Sequence, residues 1–390
     1  MAPRPAPSDA PPRASRDERE RLASDFVRLC EIESPSRRER RIADAVTREL
    51  AEAGIEVEED SSAVVTGSEA GNLLARIPGA DDDRTILLCA HLDTVPLDAP
   101  VEVVRDEGMF RNRNEAILGA DNKAAVAVLL ALARRRMREG GRIGVELLFT
   151  TCEELALAGA KALATGALRS EFGFVFDHAS PIGELIVAAP TYYRVDARFR
   201  GTAAHAGIRP EEGRSAIAAA ARAVSALPLG RLDAETTANA GRIEGGTAAN
   251  VVAERCNLEL EARSLDATRA AEVVSDMVDT ISEAASEAEC DVETVVQQQF
   301  GGYRLPRSSP PVEIAAAALR AMGIEPRPIA TGAGSDANAL VAAGVPCLNV
   351  ANGTERNHQP DESVSVEALE TMLDVAFGIV ARAETGSASA

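Results

Sequence analysis

The chain has 390 residues, room for more than one domain, with 41 Lys plus Arg against 61 Asp plus Glu and a formal net charge of −20. A field of that sign argues against nucleic acid or an anionic membrane as a general partner and suits cations near a carboxylate-rich site. Aromatic residues make up 3% with no Trp, so the cores must be built mainly from Ala, Val, Leu and Ile.

The chain opens on MAPRPAPSDAPPRAS, with proline and charge where a signal peptide needs an apolar stretch, which predicts a disordered leader over 1–16. Amphipathic spacing predicts helices over 16–33 and 37–53. Short β-rich pieces follow at 72–78, 85–93, 142–151 and 172–177, with helical runs at 121–139 and 154–166 between them. The near-continuous apolar character of TILLCA, VELLF and FGFVF fits central strands covered on both faces. That alternation predicts an α/β fold, a mixed sheet flanked by helices.

Near residue 188 the pattern changes. TYYRVDARFRGTAAHAG alternates as a half-exposed strand does. A helix over 212–227, strands over 238–244 and 251–263, a helix over 267–287 and a strand over 291–299 complete a small α+β unit with a one-sided antiparallel sheet. The α/β pattern then returns with a helix over 310–322, a strand over 346–351 and a last helix over 366–382, before a frayed GSASA tail. The expected organisation is a leader over 1–16, a discontinuous catalytic domain over 17–187 and 302–390, and an inserted domain over 188–301. Cys30, Cys89, Cys152, Cys256, Cys290 and Cys347 form no CxxC pair and read as buried thiols. No segment is long and apolar enough to span a bilayer, and a reduced cytoplasm is the expected location.

The polar residues at the predicted strand ends carry the chemistry. His91 and Asp93 lie in AHLDTVP, Asp121 in GADNKA, Glu153 and Glu154 in FTTCEEL, Asp177 in FVFDH and His358 in ERNHQPDE. Each has an ordinary reading: Asp121 as a helix cap, Glu153 and Glu154 as helix-start acids, Asp93 as a turn acceptor, His178 as a locally bonded group. Together they fall where open α/β sheets place their sites, outside the carboxyl ends of the strands. Carboxylates mixed with imidazole suit zinc, cobalt or manganese, one shared carboxylate can bridge two ions, and an unligated one can take a proton from water.

With these motifs, and with GTAAHAG, GGTAANVV and GAGSDANAL in the same order, the sequence resembles the M20 family of dinuclear metallopeptidases, in its peptidase T-like branch. The resemblance implies that His91 and Asp177 bind one ion, Glu154 and His358 the other, and that Asp121 bridges them. It implies Glu153 as general base, Asp93 as the carboxylate that holds the His91 tautomer, and His205 as the oxyanion group brought from the inserted domain. Asn250, Arg263, Gly334, Ser335 and Asp336 are implied substrate contacts. Cys152 stands where relatives often carry a small residue, leaving a thiol beside the site open to oxidation or stray metal.

The implied function is hydrolysis of an amide bond in small peptides by an aminopeptidase or tripeptidase-like exopeptidase with two divalent ions per subunit, zinc first, cobalt or manganese as alternatives. A homodimer formed through the inserted domain is expected, with no nucleic-acid or membrane partner. A carboxypeptidase or N-acyl-amino-acid deacylase of the same fold remains open, and a non-enzymatic binding protein is the remaining alternative.

Overall fold

The computed structural model describes residues 11–385, so residues 1–10 of the leader expected over 1–16 and the GSASA tail lie outside the described residues. The chain is anchored earlier than a leader ending at residue 16 would allow. The Ala14 N–H donates to Asp374 at 2.7 Å, Arg13 reaches the other oxygen at 3.1 Å, and Ser15 with Glu18 closes a capping box on the helix Arg16–Cys30.

The described chain divides into two compact units, 11–187 with 304–330 and 335–385, and Ala188–Tyr303 with Thr331–Gly334. The first holds a mixed sheet flanked by helices. Seven of the nine strands of this sheet run in the order Val57–Glu59, Leu73–Ile77, Ile143–Thr150, Asp81–His91, Gly173–His178, Cys347–Ala351 and Glu184–Ala189. The four from Ile143–Thr150 to Cys347–Ala351 are mutually parallel, and antiparallel neighbours flank them. Every residue of Ile143–Thr150 is buried, as an apolar run in a covered parallel strand should be. The helix Ala120–Glu139 packs on this sheet and is buried throughout Ala124–Ala133, the condition of a helix apolar on all sides.

Among the departures from the expected elements, two bear on the polar residues. The helix predicted over 154–166 shrinks to Ala158–Ala162 and a short 3₁₀ turn at Thr165–Ala167. Cys152, Ala156 and Leu157 take φ of 52°, 57° and 64°, left-handed values that a helix cannot continue. A small four-stranded sheet, unforeseen, joins Val103–Asp106 and Met109–Asn112 to Thr354–Glu355 and Ser363–Ser365. The loop between its last two strands carries His358 and Glu362.

The second unit is a five-stranded antiparallel sheet in the order Gly230–Arg231, Thr236–Gly245, Arg255–Ser264, Thr191–Arg200, Asp291–Phe300. Alternate residues Val195, Ala197, Phe199, Leu258, Leu260 and Ala262 pack with Ala219, Ala223, Met277 and Ile281 of the helices Ala216–Ala226 and Ala267–Glu287. Arg198, Arg200, Arg255 and Asn257 on the other face are exposed, the hydrophobic-in, polar-out alternation of a one-sided sheet.

Candidate active site

The parallel strands deliver the polar residues to one end of the sheet. His91 is the last residue of its strand, in register with Thr150, and Asp177 precedes His178 at the end of the next. Asp121 enters at the start of Ala120–Glu139 with non-helical φ/ψ of −83° and 103°, and its peptide to Asn122 is cis. Its carboxylate caps no helix. Oδ1 lies 3.2 Å from His91 Nε2 and Oδ2 lies 3.2 Å from His358 Nε2. His358 Nε2 also meets Glu154 at 2.8 Å, and His91 Nε2 meets Asp177 at 3.6 Å. Two overlapping trios, His91–Asp121–Glu154 and His91–Glu153–Asp177, each bring their ligand atoms within 4.8 Å of one another.

Glu153 and Glu154 are held by their backbone, which is why they begin no helix. Their N–H groups donate to the two oxygens of Asp93 at 2.9 and 3.2 Å, and the Ser36 hydroxyl donates to Asp93 at 2.7 Å. The Cys152 N–H donates to Glu39 at 3.1 Å. Asp93 therefore acts mainly on the turn. The nearer partner of His91 Nδ1 is the Asp93 carbonyl oxygen at 3.0 Å, with the carboxylate at 3.5 Å. An Nδ1–H donated there leaves the Nε2 lone pair facing Asp121 and Asp177. Glu362 lay outside the sequence reading, as did Ser36 and Glu39. It is buried and accepts from the N–H groups of Leu118 and Gly119 at 2.8 Å and of Asp121 at 2.9 Å. Burial pushes its carboxyl up to about 7.

The electrostatics fit a place for cations. Burial, and then the charge of Asp177, push Glu153 well above the usual carboxylate range. Burial likewise raises Glu154 and Asp177. Burial opposes ionisation of Asp121 too, but the hydrogen bonds to His358 and His91 overcome it and hold its carboxyl low. The bonds to Asp121 and Glu154 push His358 up to about 10. Acids that burial and mutual repulsion disfavour as anions, set around imidazole nitrogens, form an O/N donor set that divalent cations satisfy.

The remaining expected residues divide. His205 and Asn250 come together in the second unit: His205 bridges Val251, and the Ala206 N–H donates to the Asn250 carbonyl at 3.0 Å, both side chains being exposed. Arg263 lies 4.2 Å over the Tyr192 ring, donates to the Gly332 carbonyl at 3.2 Å and pairs with Glu261 at 3.2 Å. A Cβ on Gly334 would fall 2.2 Å from the Phe300 ring. Ser335 and Asp336 are buried, and Asp336 accepts from the hydroxyl of Thr150, the residue in register with His91. The Cys152 reading is corrected. The thiol is buried, donates to Glu39 at 3.2 Å and is pushed up to about 12 by burial, which disfavours the thiolate that oxidation and metal binding need. His178 Nδ1 bonds Ser180 at 2.9 Å, in keeping with its local reading.

The family model described as peptidase family M20/M25/M40 matches residues 87–382. Among curated proteins, Bacillus subtilis YqjE, named as uncharacterised, is 35% identical over 364 residues, 93% of this chain and 98% of its own. Among solved structures, aminopeptidase PepT from Bacillus cereus is 35% identical with a TM-score of 0.84, covering 94% of this chain and 98% of that one. A tripeptidase from Staphylococcus aureus is 31% identical with a TM-score of 0.89, covering 94% and 99%.

Proposed function

From the premise that the chain belongs to peptidase family M20/M25/M40, in its peptidase T-like branch, we propose that it is a metal-dependent exopeptidase that removes residues from the amino end of small peptides. The observation that carries the reading is Asp121, whose two oxygens face different histidines, the posture of a carboxylate shared between two ions. His91 and Asp177 would hold one ion, Glu154 and His358 the other, and nitrogen–oxygen donors of this kind suit zinc first, then cobalt or manganese. Bound there, the two cations supply Lewis acidity and make a water a nucleophile at neutral pH.

The chain's own residues do the rest. Glu153, on the turn fixed by Asp93, takes the proton of the attacking water and returns it to the departing amine. His205 donates to the oxygen that gains charge in the transition state, and Asn250 and Arg263 contact the substrate backbone and its carboxylate. The inserted unit serves as lid and as dimer surface, with His205 acting in its own or the neighbouring subunit. The setting is the cytoplasm, without a nucleic-acid or membrane partner. No helix among the described residues is long and apolar enough to cross a membrane.

The amino-end preference follows the names of the similar aminopeptidase and tripeptidase. A peptide library incubated with the zinc-, cobalt- and manganese-loaded protein and read by mass spectrometry tests it. Release of free amino-terminal residues from tripeptides is expected. Cleavage confined to the carboxyl end or to acylated amino acids would overturn the amino-end assignment, and no hydrolysis with any ion would overturn the enzyme reading.

A further inference from the structure

The turn that carries Glu153 and Glu154 is tied from behind to a carboxylate that the proposed reaction does not use. Glu39 is fully buried. It immediately precedes the helix Arg40–Glu52 yet makes no side-chain capping bond to it. Its Oε1 accepts from the N–H of Arg37 at 2.9 Å, the N–H of Cys152 at 3.1 Å and the thiol of Cys152 at 3.2 Å, and its Oε2 accepts from the Ser68 hydroxyl at 2.5 Å. Three residues earlier, Ser36 holds Asp93. The consecutive N–H groups of residues 152, 153 and 154 therefore end on two buried carboxylates, Glu39 and Asp93.

The segment supplying Ser36 and Glu39 is itself docked on the HLDT loop. Ser34 donates to the Leu92 carbonyl at 2.9 Å, the Thr94 N–H to Ser34 at 2.9 Å, and the Ser36 N–H to Thr94 at 3.1 Å. This segment precedes residue 87, where the family match begins.

A buried carboxylate is costly unless donors satisfy it, and a helix-capping role would aim it at the helix N–H groups. Glu39 instead takes two bonds from Cys152 of the turn, beside those from Arg37 and Ser68. The residue it grips there, Cys152, has a φ of 52°, a conformation that a side-chain-bearing residue keeps when its surroundings impose it. Release of the Cys152 peptide frees the turn to rotate, and the turn is what sends Glu153 toward His91 and Asp177 and Glu154 toward His91 and Asp121.

We propose that Glu39 is a positioning residue, the group that fixes the Cys152 peptide so that Glu154 meets its ion and Glu153 stands over the water. The proposal rests on the exopeptidase reading above. Its test uses the full-length protein, with zinc competed between each variant and a chromogenic chelator, beside steady-state kinetics on the best peptide substrate and a thermal melt. For Glu39→Gln, which keeps the size but removes the charge and turns one acceptor oxygen into a donor, one of the two ions should bind about 10–100-fold more weakly. Its kcat should fall by about tenfold or more while KM stays within about threefold. Wild-type affinity for both ions with unchanged kcat would overturn the proposal, whatever the melting temperature. If Glu39→Gln does not fold, Ser68→Ala, which removes one donor and keeps the carboxylate, carries the test. A weakened ion with reduced kcat then supports the role, and wild-type values overturn it. A wild-type protein that binds no zinc or cleaves no peptide would instead sink the exopeptidase reading, a separate outcome visible in the control.

Discussion

Glu362 Oε1 accepts the peptide N–H of Asp121 at 2.9 Å. Its other oxygen takes Leu118 and Gly119, so one buried carboxylate grips the backbone that presents the proposed bridging ligand. Glu362 lies four residues beyond His358, in the loop of the small sheet, and it links the two proposed ligands through the chain. Glu362→Gln exchanges one acceptor oxygen for a donor and leaves a buried N–H unpaired, a cost of about 1–3 kcal/mol. Stability in denaturant should fall by that amount, and metal affinity by about 10–100-fold. Wild-type affinity in the folded variant would count against the link.

Glu153 stands close enough to His91 and Asp177 to be a ligand, whereas the proposed mechanism keeps it free for the proton. The two roles separate in Glu153→Ala. As general base, its loss should lower kcat by about 10²–10⁴-fold while metal analysis still finds two ions per chain. One ion per chain would make Glu153 a ligand instead.

Metal removal should expose the electrostatic strain of the site. Without cations, Glu153, Glu154 and Asp177 are buried acids that resist ionisation. Ions that bind the folded chain alone stabilise it by about 2.7 kcal/mol at a hundredfold excess over Kd. Chelation should therefore lower the melting temperature and added zinc should restore it. An unchanged melt across a zinc titration would argue that the cluster binds no ion.

The parallel core was legible because TILLCA, VELLF and FGFVF are apolar without interruption, and only strands covered on both faces tolerate that. The polar residues of the candidate site were legible for a related reason: the ends of such strands are where polar side chains can gather, and His91, Glu153, Glu154 and Asp177 all follow apolar runs. The turn from Cys152 to Leu157 was not. Cys, Ala and Leu signal nothing of a left-handed backbone, and Glu-Glu-Leu-Ala-Leu reads as helix. Ser36, Glu39 and Glu362 were hidden because the partners of Glu39 and Glu362 are largely peptide N–H groups, which every residue type but proline carries, and because Ser36 reaches Asp93 from far along the chain.

Asp374 anchors the start of the described chain. It is buried and receives Arg13, Arg19 at 2.8 Å and the Ala14 N–H. Arg13 is half exposed, so its share is small. Arg19 and the Ala14 peptide are better shielded, and breaking these bonds should destabilise the fold by about 2–3 kcal/mol in Asp374→Ala. Proteolysis in the native state should then begin ahead of the helix Arg16–Cys30. Unchanged stability and protease resistance would show that the anchoring contributes nothing.

Gly334 packs behind Arg263, the proposed partner of the substrate carboxylate. A side chain there would meet Phe300, whose ring touches Tyr192 edge-on at 5.3 Å between centroids, and Tyr192 carries the Arg263 guanidinium. The four residues share the second unit, so the push of an added methyl runs along one packed row toward the group proposed to hold the substrate carboxylate. Overpacking of this kind costs about 1–3 kcal/mol. Gly334→Ala should raise KM for free tripeptides by about tenfold, the equivalent of about 1.4 kcal/mol of binding, with a smaller change in kcat. The same variant should lose less on a substrate whose carboxyl end is amidated, since that substrate offers Arg263 no charge. An equal KM increase on both substrates would place the effect elsewhere than Arg263.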